Sequence, residues 1–176
     1  MSDFIIRQTS AQDVSQVLQL YPKAFPDEEL RPVVAALLEP DADFDVLSMA
    51  AFDDDELIAH VLFTICGTRE GDQSGALLAP LGVIPSHQRR GIGASLIQAA
   101  LETLEAGETR QVFVLGDPAY YSRSGFRIES AVQPPYALPE GWDGAWQSIS
   151  IAGRTPLDEG PLLLPEPWMD PALWGP

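Results

Sequence analysis

The chain has 176 residues, enough for one domain with a full core and too few for two comfortable ones. Apolar residues make up 45 % and charged residues 20 %, ordinary proportions for a soluble globular protein. The net charge of −16, with nine arginines and the single lysine Lys23, argues against nucleic acid, because phosphate backbones need a basic surface.

A local cationic patch can still oppose that field and hold a small anion, and the acidic bulk favours cationic substrates if it selects anything beyond solubility. No run of about 18 uninterrupted apolar residues marks a membrane span. The start "MSDFIIRQTS" has no basic stretch leading into an apolar one, so it does not read as a secretory signal. Cys66, the sole cysteine, fits a reducing compartment, and the expected location is the cytoplasm.

In chain order, "FIIRQ" at 4–8 predicts a first strand. Thr9 or Ser10 then caps a helix whose apolar positions Val14, Val17, Leu18 and Tyr21 recur at helical spacing. A second helical pattern covers about residues 27–38 and stops before Pro40. "FDVLSMAAF" and "ELIAHVLFTICG" read as two strands joined at "DDD" by a hairpin turn. "ALLAPLGVI" is a further run of strand type, but Pro80 lacks a ladder donor and Gly82 permits unusual dihedrals. A bulged or splayed strand is therefore expected there, not a regular one.

From Gly93 to about Glu105, Leu96, Ile97, Ala100, Leu101 and Leu104 form one apolar helix face, and Gly107 supplies a stop. "RQVFVLG" is the next strand, "PAYYSRS" a short helix or turn, and "FRIES" and "GAWQSISI" two more strands. Residues 1–152 read as a single domain. The proline- and tryptophan-rich segment 153–176 reads as a loose tail that packs on the domain or on a partner. Strands outnumber crossover helices, so the sheet of this mixed α/β chain must be partly antiparallel.

The stretch "PLGVIPSHQRRGIGASLI" carries the most chemistry. A glycine corner between a strand and a helix offers unpaired N–H groups and the positive helix end to an anion. Arg89 and Arg90 add charge to it. A Walker loop needs a Gly-Lys-Ser/Thr end, and the only lysine is at position 23. A dinucleotide fingerprint needs a third glycine where Leu96 stands, and an acid where Val112 to Val114 stand. What remains is Q-x-x-G-x-G/A, as Gln88-Arg89-Arg90-Gly91-Ile92-Gly93-Ala94.

That motif, the "V-x-P" step at Val83 and the Y-x-x-x-G-F pattern at Tyr121, Gly125 and Phe126 together resemble the GNAT superfamily of N-acetyltransferases. "VFVLGDPAYYSRSGF" is especially similar to a bacterial subfamily of predicted N-acetyltransferases. The resemblance covers roughly residues 4–130. It implies the GNAT fold, a mixed and mostly antiparallel sheet flanked by helices with a splayed central strand. It implies acetyl-CoA as cosubstrate and direct acetyl transfer to an amine of a small molecule or peptide. Separately, with two histidines and one cysteine, no ligand spacing suggests a metal. By the same resemblance Gln88 to Ala94 hold the pyrophosphate through main-chain N–H groups, while Leu81, Gly82 and Val83 face the pantetheine arm. The Val83 N–H would polarise the thioester carbonyl, and Tyr121 would be the acid for the departing thiolate.

The base stays open among Asp117, His60 and a chain of waters. Asp117 reads more naturally as a helix cap, and His60, inside "LIAHVLF", as a satisfied core or pocket residue. His87 is either a cofactor-side contact or exposed. Cys66 has no activating partner nearby in sequence and reads as core. The rival functions are a non-catalytic acyl-CoA sensor of the same fold and an interaction protein whose glycine corner is only a turn. A homodimer is a further possibility.

Overall fold

The computed structural model describes residues 3–175 and divides the chain into two compact units. The first takes residues up to Phe63 together with Pro80–Ala100; the second takes Thr64–Ala79 and Leu101 onward. The strands β1 (Ile5–Gln8), β2 (Val46–Asp53), β3 (Glu56–Cys66), β4 (Gly75–Val83), β5 (Gln111–Leu115), β6 (Arg127–Ile128) and β8 (Trp146–Ser150) pair in the order β1-β2-β3-β4-β5-β8-β6, with β7 (Val132–Gln133) and β9 (Gly160–Pro161) in a separate two-stranded ladder. The ladders β1–β2, β5–β8 and β6–β8 are antiparallel and β4–β5 is parallel, a mixed and mostly antiparallel sheet. No helix among the described residues is long and apolar enough to cross a membrane.

In the first unit, β1 (Ile5–Gln8) leads through a short 3-10 turn into α1 (Val14–Ala24). The turn is locked by Asp13, whose carboxylate accepts the Ser10 N–H at 2.7 Å and both Arg7 guanidinium donors at 2.8 and 3.1 Å. Arg7 and Ser10 hold the Asp13 carboxyl down to about 2 against the pull of burial. A carboxylate depressed in the folded state adds stability above its unfolded pKa, and that stability is lost as pH falls through the folded value. Asp13→Asn should therefore lower Tm at neutral pH, and the gap from wild type should close between about pH 4 and pH 2, read by thermal melts across that range.

Val17, Leu20 and Tyr21 put the apolar stripe of α1 inside, and α2 (Arg31–Leu37) buries Val33, Val34 and Leu37. This second helix is shorter than the pattern predicts: Pro32 suits only a first turn, so the helix begins at Arg31. The hairpin β2 (Val46–Asp53) to β3 (Glu56–Cys66) turns at Asp54, in the left-handed region at φ 53°, a conformation aspartate tolerates.

Strand β4 (Gly75–Val83) is continuous through Pro80 and Gly82. The ladder to β5 (Gln111–Leu115), however, covers only Gly75 to Leu78. Before that point the strand is buried; from Ala79 to Val83 only Gly82 is. Helix α3 (Ile92–Ala106) buries Ile92, Leu96, Ile97, Ala100 and Leu104, the predicted face with Leu101 shifted to its margin.

The second unit holds β5, α4 (Pro118–Tyr121), β6 (Arg127–Ile128), β7 (Val132–Gln133), β8 (Trp146–Ser150) and β9 (Gly160–Pro161). Its core is aromatic. Phe113 stacks on Trp146 at 5.7 Å, Trp174 meets Trp146 edge-on at 6.0 Å, and Trp168 meets Trp174 at 6.2 Å. The Trp168 indole N–H donates to Thr64 Oγ1 at 3.0 Å, and that of Trp174 to the Trp168 carbonyl at 2.9 Å. The terminal segment is thus more ordered than its composition suggests, because its two tryptophans are core residues whose polar edges find partners.

Candidate functional site

In the first unit, β4 ends at Val83, a 3-10 turn spans Pro85–His87, and α3 begins at Ile92. The connection is built by its own side chain. Gln88 Nε2 donates to the Val83 carbonyl at 3.0 Å, tying the loop to the strand it leaves. Arg89 at φ 64° and Gly91 at φ 77° are left-handed, and Arg90 between them is not. Alternating φ signs turn successive N–H groups toward one side, a concavity suited to an anion. Holding arginine in that region costs roughly 1–2 kcal/mol.

Helical bonding begins with Ser95 N–H to the Gly91 carbonyl at 3.0 Å, so the N–H groups of Ile92, Gly93 and Ala94 precede any helical acceptor. A Cβ on Gly91 would meet nothing within 4 Å, so this glycine serves the backbone angle and an open approach, not packing. Arg89 and Arg90 are exposed, and neither enters a salt bridge among the described residues. Beside them His87 Nε2 lies 3.2 Å from an Asp53 carboxylate oxygen and His87 Nδ1 2.9 Å from Ser86 Oγ. His87, Asp53, Arg90 and Ile92 line a cleft of about 260 Å³.

Leu81, Gly82 and Val83 are at the half-open end of β4. Gly82 is packed from behind: a Cβ there would stand 2.9 Å from Leu20 and 3.3 Å from Tyr21 and Ala24, so the strand rests directly on α1.

In the second unit, Asp117 caps α4 by accepting the Ala119 N–H at 2.9 Å, which is the capping role the sequence favours for it. Tyr121 ends that helix. Its ring stands edge-on to Phe126 at 5.8 Å and to Tyr120 at 5.0 Å. It lies so close to Gly116 that a Cβ there would approach Tyr121 Cε2 to 2.5 Å. Gly125, at φ 98°, makes the turn that puts Phe126 under the ring. Burial, with Tyr120 adding to it, raises the Tyr121 phenol well above its usual value, so the hydroxyl stays protonated and can donate.

A profile described as the acetyltransferase (GNAT) family matches residues 14–126, a span that carries both the glycine corner and the tyrosine turn. The chain belongs to the GNAT family.

Among relatives of this GNAT chain, the uncharacterized N-acetyltransferase YjhQ of Escherichia coli K12 is 32 % identical over 157 residues, covering 86 % of each protein. The uncharacterized N-acetyltransferase YhbS of the same strain is 33 % identical over 86 residues, 48 % of this chain and 52 % of YhbS. By structure, YhbS from E. coli in complex with CoA superposes with a TM-score of 0.84 at 24 % identity, over 97 % of this chain and 94 % of that one. A GNAT acetyltransferase from Brucella melitensis in complex with acetyl-CoA gives 0.74 at 24 % identity, over 93 % and 97 %. These likenesses show the GNAT fold.

The remaining sequence candidates resolve within the first and second units separately. Cys66 is buried, and burial together with Asp72 pushes its thiol far above the range of a nucleophile. His60 is 0 % exposed and bonded at both nitrogens, to Tyr21 Oη at 2.6 Å and to Ser48 Oγ at 2.8 Å. Burial alone pushes it down to about 3, so it is neutral and cannot collect a proton as a free base. Sequence reasoning singled out this histidine but missed its partners, which are 39 and 12 positions away on other elements. The polar residue Ser48 in β2 was the available signal.

Proposed function

We propose that this chain is an acetyl-CoA-dependent N-acetyltransferase that passes acetyl directly from the CoA thioester to an amine of a small molecule or peptide, in the cytoplasm. Membership of the GNAT family and the CoA-bound and acetyl-CoA-bound neighbours support the cosubstrate. The observation that carries the reading is the 88–94 turn: left-handed Arg89 and Gly91, helix-start N–H groups that precede any helical acceptor, and two exposed arginines in no salt bridge among the described residues, on a chain of net charge −16. Such a corner suits a diphosphate and little else on an acidic protein.

In this reading the N–H groups from Arg89 to Ala94 hold the pyrophosphate, and the Gln88 side chain holds the loop instead of the ligand. The half-open end of β4 at Leu81, Gly82 and Val83 receives the pantetheine arm by strand-like pairing, and the Val83 N–H polarises the thioester carbonyl. Tyr121 donates a hydrogen bond to the sulfur as the C–S bond breaks. Because its phenol is a weaker acid than a thiol, this is stabilisation of a thiolate more than full proton transfer.

The test is isothermal calorimetry with CoA and acetyl-CoA, followed by thiol release from acetyl-CoA against a library of primary amines. Binding plus amine-dependent release is expected. Binding without release would point to an acyl-CoA sensor, and absence of heat with either nucleotide would end the proposal.

A further inference from the structure

We propose that Asp53 and His87 are a positioning pair: their contact anchors the 88–94 turn from the side and holds Arg89 in the left-handed angle that aims main-chain N–H groups at a diphosphate. The pair acts through the backbone and not through a contact of its own with the ligand. The inference rests on the CoA reading above.

All the parts belong to the first unit. His87 Nε2 is 3.2 Å from Asp53 Oδ2, and the imidazole is the more sheltered partner, its side chain 16 % exposed against 43 % for the carboxylate. Ser86 Oγ lies 2.9 Å from Nδ1. With that hydroxyl donating to Nδ1, the ring proton stands on Nε2 and points at the carboxylate. The ring is mounted on a fixed turn. The His87 N–H donates to the Ile84 carbonyl at 3.0 Å, and the Ile84 N–H to the Ile58 carbonyl of β3 at 3.0 Å. Asp53 is the last residue of β2. The turn is thereby tied to both strands of the β2–β3 hairpin, to one by main chain and to the other by this pair.

The turn needs such an anchor because its own residues supply no packing. Arg89, Arg90 and Gly91 are exposed, and a Cβ on Gly91 would meet nothing within 4 Å. Yet Arg89 stands at φ 64°, an angle that a non-glycine residue keeps only where its surroundings over-determine it. The restraints are at the two ends. Ile92, 2 % exposed, fixes the helix side. On the strand side Gln88 Nε2 reaches the Val83 carbonyl at 3.0 Å, but Gln88 is exposed and water competes for that bond. His87, two residues before Arg89, is the sheltered restraint. Without it Arg89 relaxes toward negative φ, and the alternation that turns successive N–H groups to one side is lost.

Charge alone predicts the opposite of this role. Asp53 lines the same cleft as Arg90, together with Asp3. A carboxylate beside the diphosphate corner repels the ligand, so on charge alone removing Asp53 tightens CoA binding. Where the carboxylate instead holds His87 in place, removing it loosens CoA binding. The sign of the change separates a surface charge from a positioning residue.

The test is isothermal calorimetry of CoA with wild type, Asp53→Ala, His87→Ala, the double variant and Asp53→Asn. Both side chains are partly exposed, so the variants should fold, and thermal melts check that they do. Kd should rise about tenfold in either alanine variant and no further in the double, because the two residues act through one contact. Asp53→Asn keeps an acceptor for the Nε2–H without the repelling charge, so it should bind CoA at least as tightly as wild type. With an amine that wild type acetylates, the KM for acetyl-CoA should rise by the same factor in the alanine variants while kcat stays within about twofold. Unchanged or tighter binding in Asp53→Ala overturns the pair and leaves the CoA reading intact. So do losses that add in the double variant, or a loss in Asp53→Asn as large as in Asp53→Ala. Absence of heat from wild type with CoA defeats that reading, and the role of the pair with it.

Discussion

Tyr121→Phe should lower kcat for amine-dependent thiol release by about 10²-fold while leaving the KM for acetyl-CoA and the Tm near wild type. The ring, not the hydroxyl, makes the contacts with Gly116, Phe126 and Tyr120, so phenylalanine preserves the packing. Under the proposed function it removes one donor to the developing thiolate, and a single such donor is worth roughly 10²–10³ in rate. Gly116→Ala is the companion variant. Its Cβ would press within 2.5 Å of the Tyr121 ring, forcing the ring to tilt. It should cost about 1–3 kcal/mol of stability as overpacking, and lower kcat by displacing the Tyr121 hydroxyl. Steady-state kinetics with thermal melts separate the two effects; wild-type kcat in Tyr121→Phe would remove this tyrosine from the chemistry.

Trp168→Ala should destabilise the protein by about 3–5 kcal/mol, the range for large aromatics deleted from a core. For a chain of this size that is a fall in Tm of about 10 °C or more. The loss has three parts. The indole is 6 % exposed, its N–H is the partner of Thr64 Oγ1, and its ring braces Trp174. Thr64, itself 0 % exposed, would keep a buried hydroxyl deprived of that donor. Trp168→Phe should recover much of the packing but not the hydrogen bond, and so fall between the two. Urea unfolding of the three proteins measures the series; a loss under about 1 kcal/mol for alanine would mean the terminal segment is only loosely attached.

Much of the strand and helix order is legible in the chain because it depends on neighbours a few residues apart. Alternation marks β2 and β3, the spacing of Leu96, Ile97, Ala100 and Leu104 marks α3, and Asp117 before Pro118 marks a cap. The glycine corner is legible for the same reason, since left-handed Gly91 and the donors of a helix start are local consequences of Gly91-Ile92-Gly93-Ala94. The left-handed angle at Arg89 was not, because nothing in an arginine announces it.

Composition is silent where partners are remote. Nothing local to the terminal tryptophans names Thr64, 104 positions from Trp168, as the hydrogen-bond partner that offsets burial of the indole N–H. Pro80 and Gly82 mark where β4 departs from a regular ladder: its pairing with β5 stops at Leu78 while the strand continues, and Gly82 lets it lie against α1. His60 was visible as an anomaly in an apolar strand, but only the fold brings Tyr21 and Ser48 to its two nitrogens. The sequence by itself determined the elements, the family and the glycine corner, all set by short-range patterns. Tertiary structure alone decided which buried polar groups are satisfied and by what, because those bonds join residues that no local pattern relates.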